Sequence, residues 1–331
     1  MVAGLLALSV VLAACGGAGG ASGGGSQELS GRINIEGSST VLPITEAVSD
    51  GFREEAPRVQ ISVGGAGTSD GFEAFCEGNT QISDASRPID QKEEVPLCEE
   101  AGVEFIELPV ALDGLSVVVN KQNNFAKDVT LEELNTIWAP EAEGKIMQWN
   151  QVRDSWPAKP LTLYGAGTQS GTFDFFTEYV NGEEGASRSD YQASEDDNVL
   201  VQGVSGDKNA LGYFGYSYFA ENQDALKALA VDGVEPNPDT IAAGDYPLSR
   251  PLFIYVNTQD LEQNPAVREF VTFYVGDRLN EFVEQANYVT LPESTEEETR
   301  AQLEDRTTGT IYTKQGELPG GDIESALKQS K

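Results

Sequence analysis

Three short stretches carry the residue types from which an anion site is built. They are Glu36-Gly37-Ser38-Ser39-Thr40, Gly65-Ala66-Gly67-Thr68-Ser69-Asp70-Gly71 and Gly165-Ala166-Gly167-Thr168-Gln169-Ser170-Gly171-Thr172. Each places free backbone N–H groups and hydroxyls at a predicted helix N-terminus, an end with partial positive charge and unpaired donors. Small residues let an anion approach the backbone closely. One such turn is ordinary helix capping. Three in one chain can converge on a single tetrahedral anion from several sides.

The flanking pattern supplies the elements that hold these turns. Ile33 and Ile35 alternate with polar residues as a strand does, and Ile44, Val48 and Phe52 then recur at helical spacing, with Pro43 accepted in the first turn. Val59, Ile61 and Val63 alternate before the second turn, and Phe72, Phe75 and Cys76 mark the helix after it. Leu161–Tyr164 reads as the strand before the third turn, with Phe173, Phe176 and Val180 on the following helix. Ile82 marks a short strand, and residues 105–119 read as two strands around Asp113-Gly114. Thr130-Leu131-Glu132-Glu133 is a capping box, and Ser194 with Asp197 reads as another cap. Leu252–Val256 is a strand and Ala266–Phe282 a longer helix, while residues 313–331 read as a flexible polar tail. Strands alternating with helices predict an α/β fold with largely parallel pairing.

The bulk composition excludes several activities. The chain has 331 residues, which suits two domains, and its 39% hydrophobic content is enough for packed cores. Its net charge of −33 repels phosphate backbones, so no nucleic-acid partner is expected. It has no histidine, which removes the Ser-His-Asp triad and the common His-containing zinc sites. No cofactor and no metal are expected.

Residues 2–14, VAGLLALSVVLAA, form an apolar run too short for a comfortable membrane span. Residues 1–14 read as a secretory signal, cleaved before Cys15. Leu12-Ala13-Ala14-Cys15 resembles a bacterial lipobox, which makes Cys15 the lipidation site. The Gly/Ser-rich stretch that follows, up to Ser30, reads as a flexible tether. Export implies an oxidising compartment, so Cys76 and Cys98 are expected as a disulfide rather than a reactive thiol pair. Such a bridge contributes on the order of 3 kcal/mol in the chain-entropy model.

The stretches GSSTVLPITEA, VGGAGTSDGFEAFCEG, ISDASRPI, LPVALDGLSVVVN, YGAGTQSGTFDFF, ASEDDNVLVQGV, NALGYFGYSYF and SRPLFIYVN resemble the PstS family. These are the phosphate-binding proteins of bacterial ABC importers, and the likeness is to the branch containing the SphX-type proteins. It spans about residues 31–312. The resemblance implies a two-lobed periplasmic-binding-protein-like fold of type II, with ligand in the interlobe cleft. Lobe I would comprise residues 31–110 and 250–312, and lobe II residues 111–249. It also implies a non-enzymatic monomer that binds inorganic phosphate at high affinity. Such a protein delivers phosphate to permease subunits and is held on the periplasmic face of the cytoplasmic membrane by its lipid.

Matched motif to motif, the resemblance puts Ser39, Thr40, Ser69, Ser170, Gly171 and Thr172 around the phosphate. Two positions depart from the family pattern. Ala166 stands where many relatives carry Arg, and Ser86 where many carry Asp. Arg87 is therefore the expected guanidinium, as no other Arg falls in a candidate loop. An acceptor carboxylate reads the proton of hydrogen phosphate and repels sulfate. Asp70 ranks first for that task, ahead of Asp84 and Asp174. Three other readings stay open: binding of a sulfate-like oxyanion, a non-transport scaffold, and phosphoester hydrolysis.

Overall fold

The alternation at Ile33 and Ile35 becomes the buried face of β1 (Ser30–Gly37), and that of Val59 and Ile61 the inner side of β2 (Arg58–Val63). The computed structural model describes residues 29–168, 170–194, 196–313, 318–319 and 322–330. The apolar run before Cys15, Cys15 itself and the Gly/Ser tether lie outside the described residues, apart from the tether's last two positions. Nine further strands follow in chain order: β3 (Ile82–Ala85), β4 (Phe105–Asn120), β5 (Asp128–Val129), β6 (Thr162–Ala166), β7 (Gln192–Ser194), β8 (Ala210–Gly215), β9 (Leu226–Ala228), β10 (Ala230–Val231) and β11 (Ser249–Asn257).

The main sheet runs β2-β1-β3-β11-β4-β8-β6-β7, with β9 added to β4. Pairing is parallel within β2-β1-β3 and within β8-β6-β7, as strands joined by crossover helices require. The central strands β4 and β11 are antiparallel to each other. β4 is one continuous strand of 16 buried residues, not two around Asp113-Gly114. Its first part pairs with β11 and its second with β8, so it passes from one half of the molecule into the other. Gly114 makes no turn; a Cβ there would stand 2.5 Å from Ile241, so the glycine admits that side chain.

Two large cores result. One gathers Ile33, Ile44, Phe52, Ile106, Ile254, Phe270 and Phe282 on the β1 side. The other gathers Leu115, Trp138, Trp149, Phe176, Leu211 and Tyr213 on the β6 side. The helix expected over Ala266–Phe282 is two, Pro265–Tyr274 and Leu279–Gln285, parted around Gly276. The stretch expected as a flexible tail contains the helix Ile323–Ser330, whose Ala326 and Leu327 are buried against Ile311. Ile323, Ala326 and Leu327 stand at i, i+3 and i+4, a helical stripe inside a polar segment. Cys76 and Cys98 form a disulfide that ties the helix Thr68–Cys76 to the helix Glu94–Ala101. Among the described residues no helix is long and apolar enough to cross a membrane.

Candidate ligand-binding cleft

The first turn is fastened from below. Gly37 leaves β1 at φ 150°, and a Cβ there would lie 2.0 Å from the Asp84 carbonyl. The Ser38 N–H donates to that carbonyl at 2.8 Å, and the Thr40 N–H donates to Ser38 Oγ at 3.1 Å. The helix Leu42–Glu55 starts directly afterwards with no side-chain cap. Backbone carbonyls take its first N–H groups instead: Leu42 donates to Ser38 at 3.0 Å, and Ile44 and Thr45 donate to Val41 at 2.9 and 3.1 Å.

The third turn faces the first. Ser170 caps the helix Gly171–Phe176 by accepting from the Thr172 N–H at 3.2 Å. A Cβ on Gly171 would fall 1.9 Å from Thr40 Oγ1, so only glycine lets the two turns approach this closely. Across the same gap Ser39 Oγ donates to Asp174 Oδ2 at 3.5 Å, a weak contact.

Arg250, on β11, stands between these turns. Its Nη2 donates to Thr40 Oγ1 at 3.0 Å and to the Gly171 carbonyl at 3.1 Å. Its Nε donates to Asp113 Oδ2 at 3.3 Å, and its guanidinium lies 4.2 Å from the centre of the Phe175 ring. Arg250 therefore touches both turns and both central strands, which makes it the cation of the cleft. Loop composition did not reveal it because it sits in a strand. The sequence signal was Ser249-Arg250-Pro251 at the head of an apolar strand, a charged residue where burial begins.

The second turn is turned outward. Gly67, at φ 122°, caps the helix Thr68–Cys76, and Thr68 Oγ1 lies 3.1 Å from Ser86 Oγ. Ser69 and Asp70 are exposed. Arg87 donates to Ser69 Oγ at 2.9 Å and grips Glu94 with both terminal nitrogens, at 2.8 and 2.7 Å. That bidentate pair raises its pKa further. The structure thus brings Ser39, Thr40, Ser170, Gly171 and Thr172 together, and sets Ser69, Asp70 and Arg87 at the rim.

The two remaining carboxylates differ in setting. Asp84 is completely buried beside Thr45 and Tyr274, and among the described residues no hydrogen bond of ordinary geometry reaches its oxygens. Burial pushes its pKa up to about 8; the Thr45 hydroxyl opposes the rise and Glu36 adds to it. Asp174 is half-buried within the cleft. Burial first, then Glu184, raise it to about 6, while Arg250 and the Ser39 hydroxyl pull it back and Glu178 pushes it up. A carboxylate beside an anion site favours an anion that brings a proton to donate. Among the described residues no group of three His, Cys, Asp or Glu residues could hold a metal ion.

Comparison with known proteins gives consistent matches. The PBP superfamily domain matches residues 22–278. Protein SphX of Synechocystis sp. is 48% identical over 271 residues, covering 80% of this chain and 80% of SphX. The phosphate-binding protein PstS of Staphylococcus haemolyticus is 39% identical over 298 residues, covering 88% and 92%. The crystal structure described as a possible phosphate binding protein from Planctomyces limnophilus matches with a TM-score of 0.80 at 45% identity. That match covers 84% of this chain and 99% of the other.

Proposed function

The chain belongs to the PBP superfamily and, within it, to the SphX and PstS proteins, and from that premise we propose that it captures inorganic phosphate outside the cytoplasmic membrane for an ABC permease. One observation carries the reading: the Arg250 guanidinium lies between two opposed Ser/Thr/Gly turns. A planar cation flanked by helix N-termini suits a tetrahedral oxyanion. In this reading Ser39, Thr40, Ser170, Gly171, Thr172 and Arg250 hold the phosphate. Arg87 stays with Glu94, and Asp174 takes the proton-reading role ahead of Asp70 and Asp84. Lobe I comprises residues 31–110 and 250–312 and lobe II residues 111–249, hinged at β4 and β11. The protein is a monomer without catalytic activity, held by lipid at Cys15.

The test is calorimetric titration of the phosphate-stripped chain at neutral pH, repeated in excess sulfate. Tight one-to-one binding that sulfate leaves unchanged is the expected result. Heat with sulfate and none with phosphate would assign another oxyanion, and no heat with either would sink the reading.

A further inference from the structure

Arg250 is held at one edge in a way that governs where its other edge points. Asp113 stands directly opposite it across the β4–β11 ladder. Cross-strand partners lie close because backbone pairing sets their separation. The Asp113 side chain is 4% exposed, and it accepts from Nε at 3.3 Å. Burial raises the Asp113 pKa and Arg250 draws it back, so the two charges depend on each other. Nη2 is already occupied by Thr40 and Gly171. Nη1 has no hydrogen-bond partner among the described residues.

We propose that Asp113 is a positioning residue for anion capture. By engaging the Nε edge it fixes the guanidinium plane, so that Nη2 bridges the opposed turns and Nη1 is left for the ligand. Phe175 supports one face of the plane but leaves the guanidinium free to turn within it. The Asp113 contact at Nε, acting with the two Nη2 contacts on the far side, removes this freedom. It also keeps Asp113 on a single edge, unlike a fork, which would occupy two nitrogens at once. The inference rests on the reading of the cleft as a phosphate site.

A double-mutant cycle tests it with phosphate as ligand in the full chain. Arg250→Ala is expected to weaken binding about 100-fold, since it leaves the anion without its cation. Asp113→Ala is expected to weaken binding about tenfold, and Asp113→Asn, which keeps an acceptor, to recover most of the loss. The double variant Asp113→Ala/Arg250→Ala should bind no more weakly than Arg250→Ala alone. Additive losses would overturn the proposal, as would unchanged affinity in Asp113→Ala. The Nε–Hε resonance of Arg250, read by NMR without ligand, gives a second measurement. It should move in Asp113→Asn, and an unmoved resonance would also overturn the proposal. Absence of phosphate binding in the unmodified chain would instead sink the functional reading, with the Asp113–Arg250 contact still read by the resonance.

Discussion

Two arginines, one between the opposed turns and one at the rim, show how neighbours decide what a cation is free to do. Arg87 lies in the loop beside the second turn, where composition favours an anion ligand. Yet Glu94 takes both its terminal nitrogens and Ser69 one of them. Arg250 begins an apolar strand, where composition favours nothing. Its carboxylate partner takes only Nε, at the longer distance of 3.3 Å. A guanidinium offers five donors in a rigid fork, so the geometry of its carboxylate partner determines which donors remain. Proximity to a Gly/Ser turn is the weaker guide.

The largest effect is expected where a charge has no such partner. Asp84 is fully buried and its folded pKa of about 8 lies far above the ordinary carboxylate value. A raised acid pKa means the native state holds the proton more tightly than the unfolded one. The stability that Asp84 contributes is therefore fully present below its ordinary value of 3.8 and is lost as pH rises towards about 8. A shift of this size corresponds to up to about 6 kcal/mol. Asp84→Asn should flatten most of that slope and stabilise the chain in alkaline buffer, as read by urea unfolding across the range. Glu107, raised to about 7 chiefly by burial, leaves a residual slope of the same sign. Equal pH dependence in the variant and the unmodified chain would show that Asp84 is not the source.

The arginine comparison itself is broken or kept by two alanine variants. Arg250→Ala should lower phosphate affinity by roughly 3 kcal/mol, much of it from leaving the anion unpaired. Arg87→Ala should stay within about threefold of the unmodified chain, as a rim charge does. Titration calorimetry on both reads the difference. The reverse order would return the ligand role to Arg87.

Much of the fold was legible in the sequence because period-2 and period-3.6 patterns alternate cleanly. Ile33/Ile35 and Ile44/Val48/Phe52 became the expected strand and helix. The reading failed where pattern and context separate. Gly114 looks like a break, but it lies in a strand buried throughout, and it makes room for Ile241. The tail looks polar, but three apolar residues on one helical face suffice to dock it. In the site, the first and third turns were visible as local chemistry. Arg250 was not, because its approach to Thr40 is made across 210 residues of chain. No local motif records such a contact.

The carboxylates allow a finer test. Asp174 has a pKa of about 6 and faces Ser39, Arg250, Glu178 and Glu184. As an acceptor for a protonated oxygen it must be ionised. Phosphate binding should therefore strengthen as pH rises through about 6, then weaken as the ligand loses its own last proton. Asp174→Asn should remove the acidic limb. It should also let sulfate compete, narrowing the preference for phosphate about tenfold, because the repulsion of an unprotonated oxyanion is gone. Calorimetry against pH with both anions measures this. An unchanged profile in the variant would return the proton-reading role to Asp70 or Asp84.

The smallest expected change is the most direct challenge to the comparison. Glu94→Gln keeps the side-chain length but loses the charge that fixes Arg87. It also weakens the acceptor of the Asp90 N–H, which Glu94 engages at 2.7 Å. The ion pair is only partly shielded, with side-chain exposures of 32% and 13%. Its loss should lower stability by about 1 kcal/mol. Phosphate affinity should stay within about twofold, since a rim cation without its carboxylate still lies outside the opposed turns. Urea unfolding and calorimetry on the same preparation separate the two readouts. If freeing Arg87 instead tightened phosphate binding about tenfold, Arg87 would be within reach of the ligand. Glu94, rather than position, would then be what keeps Arg87 from the site, and the two arginines would differ only in how tightly each is held.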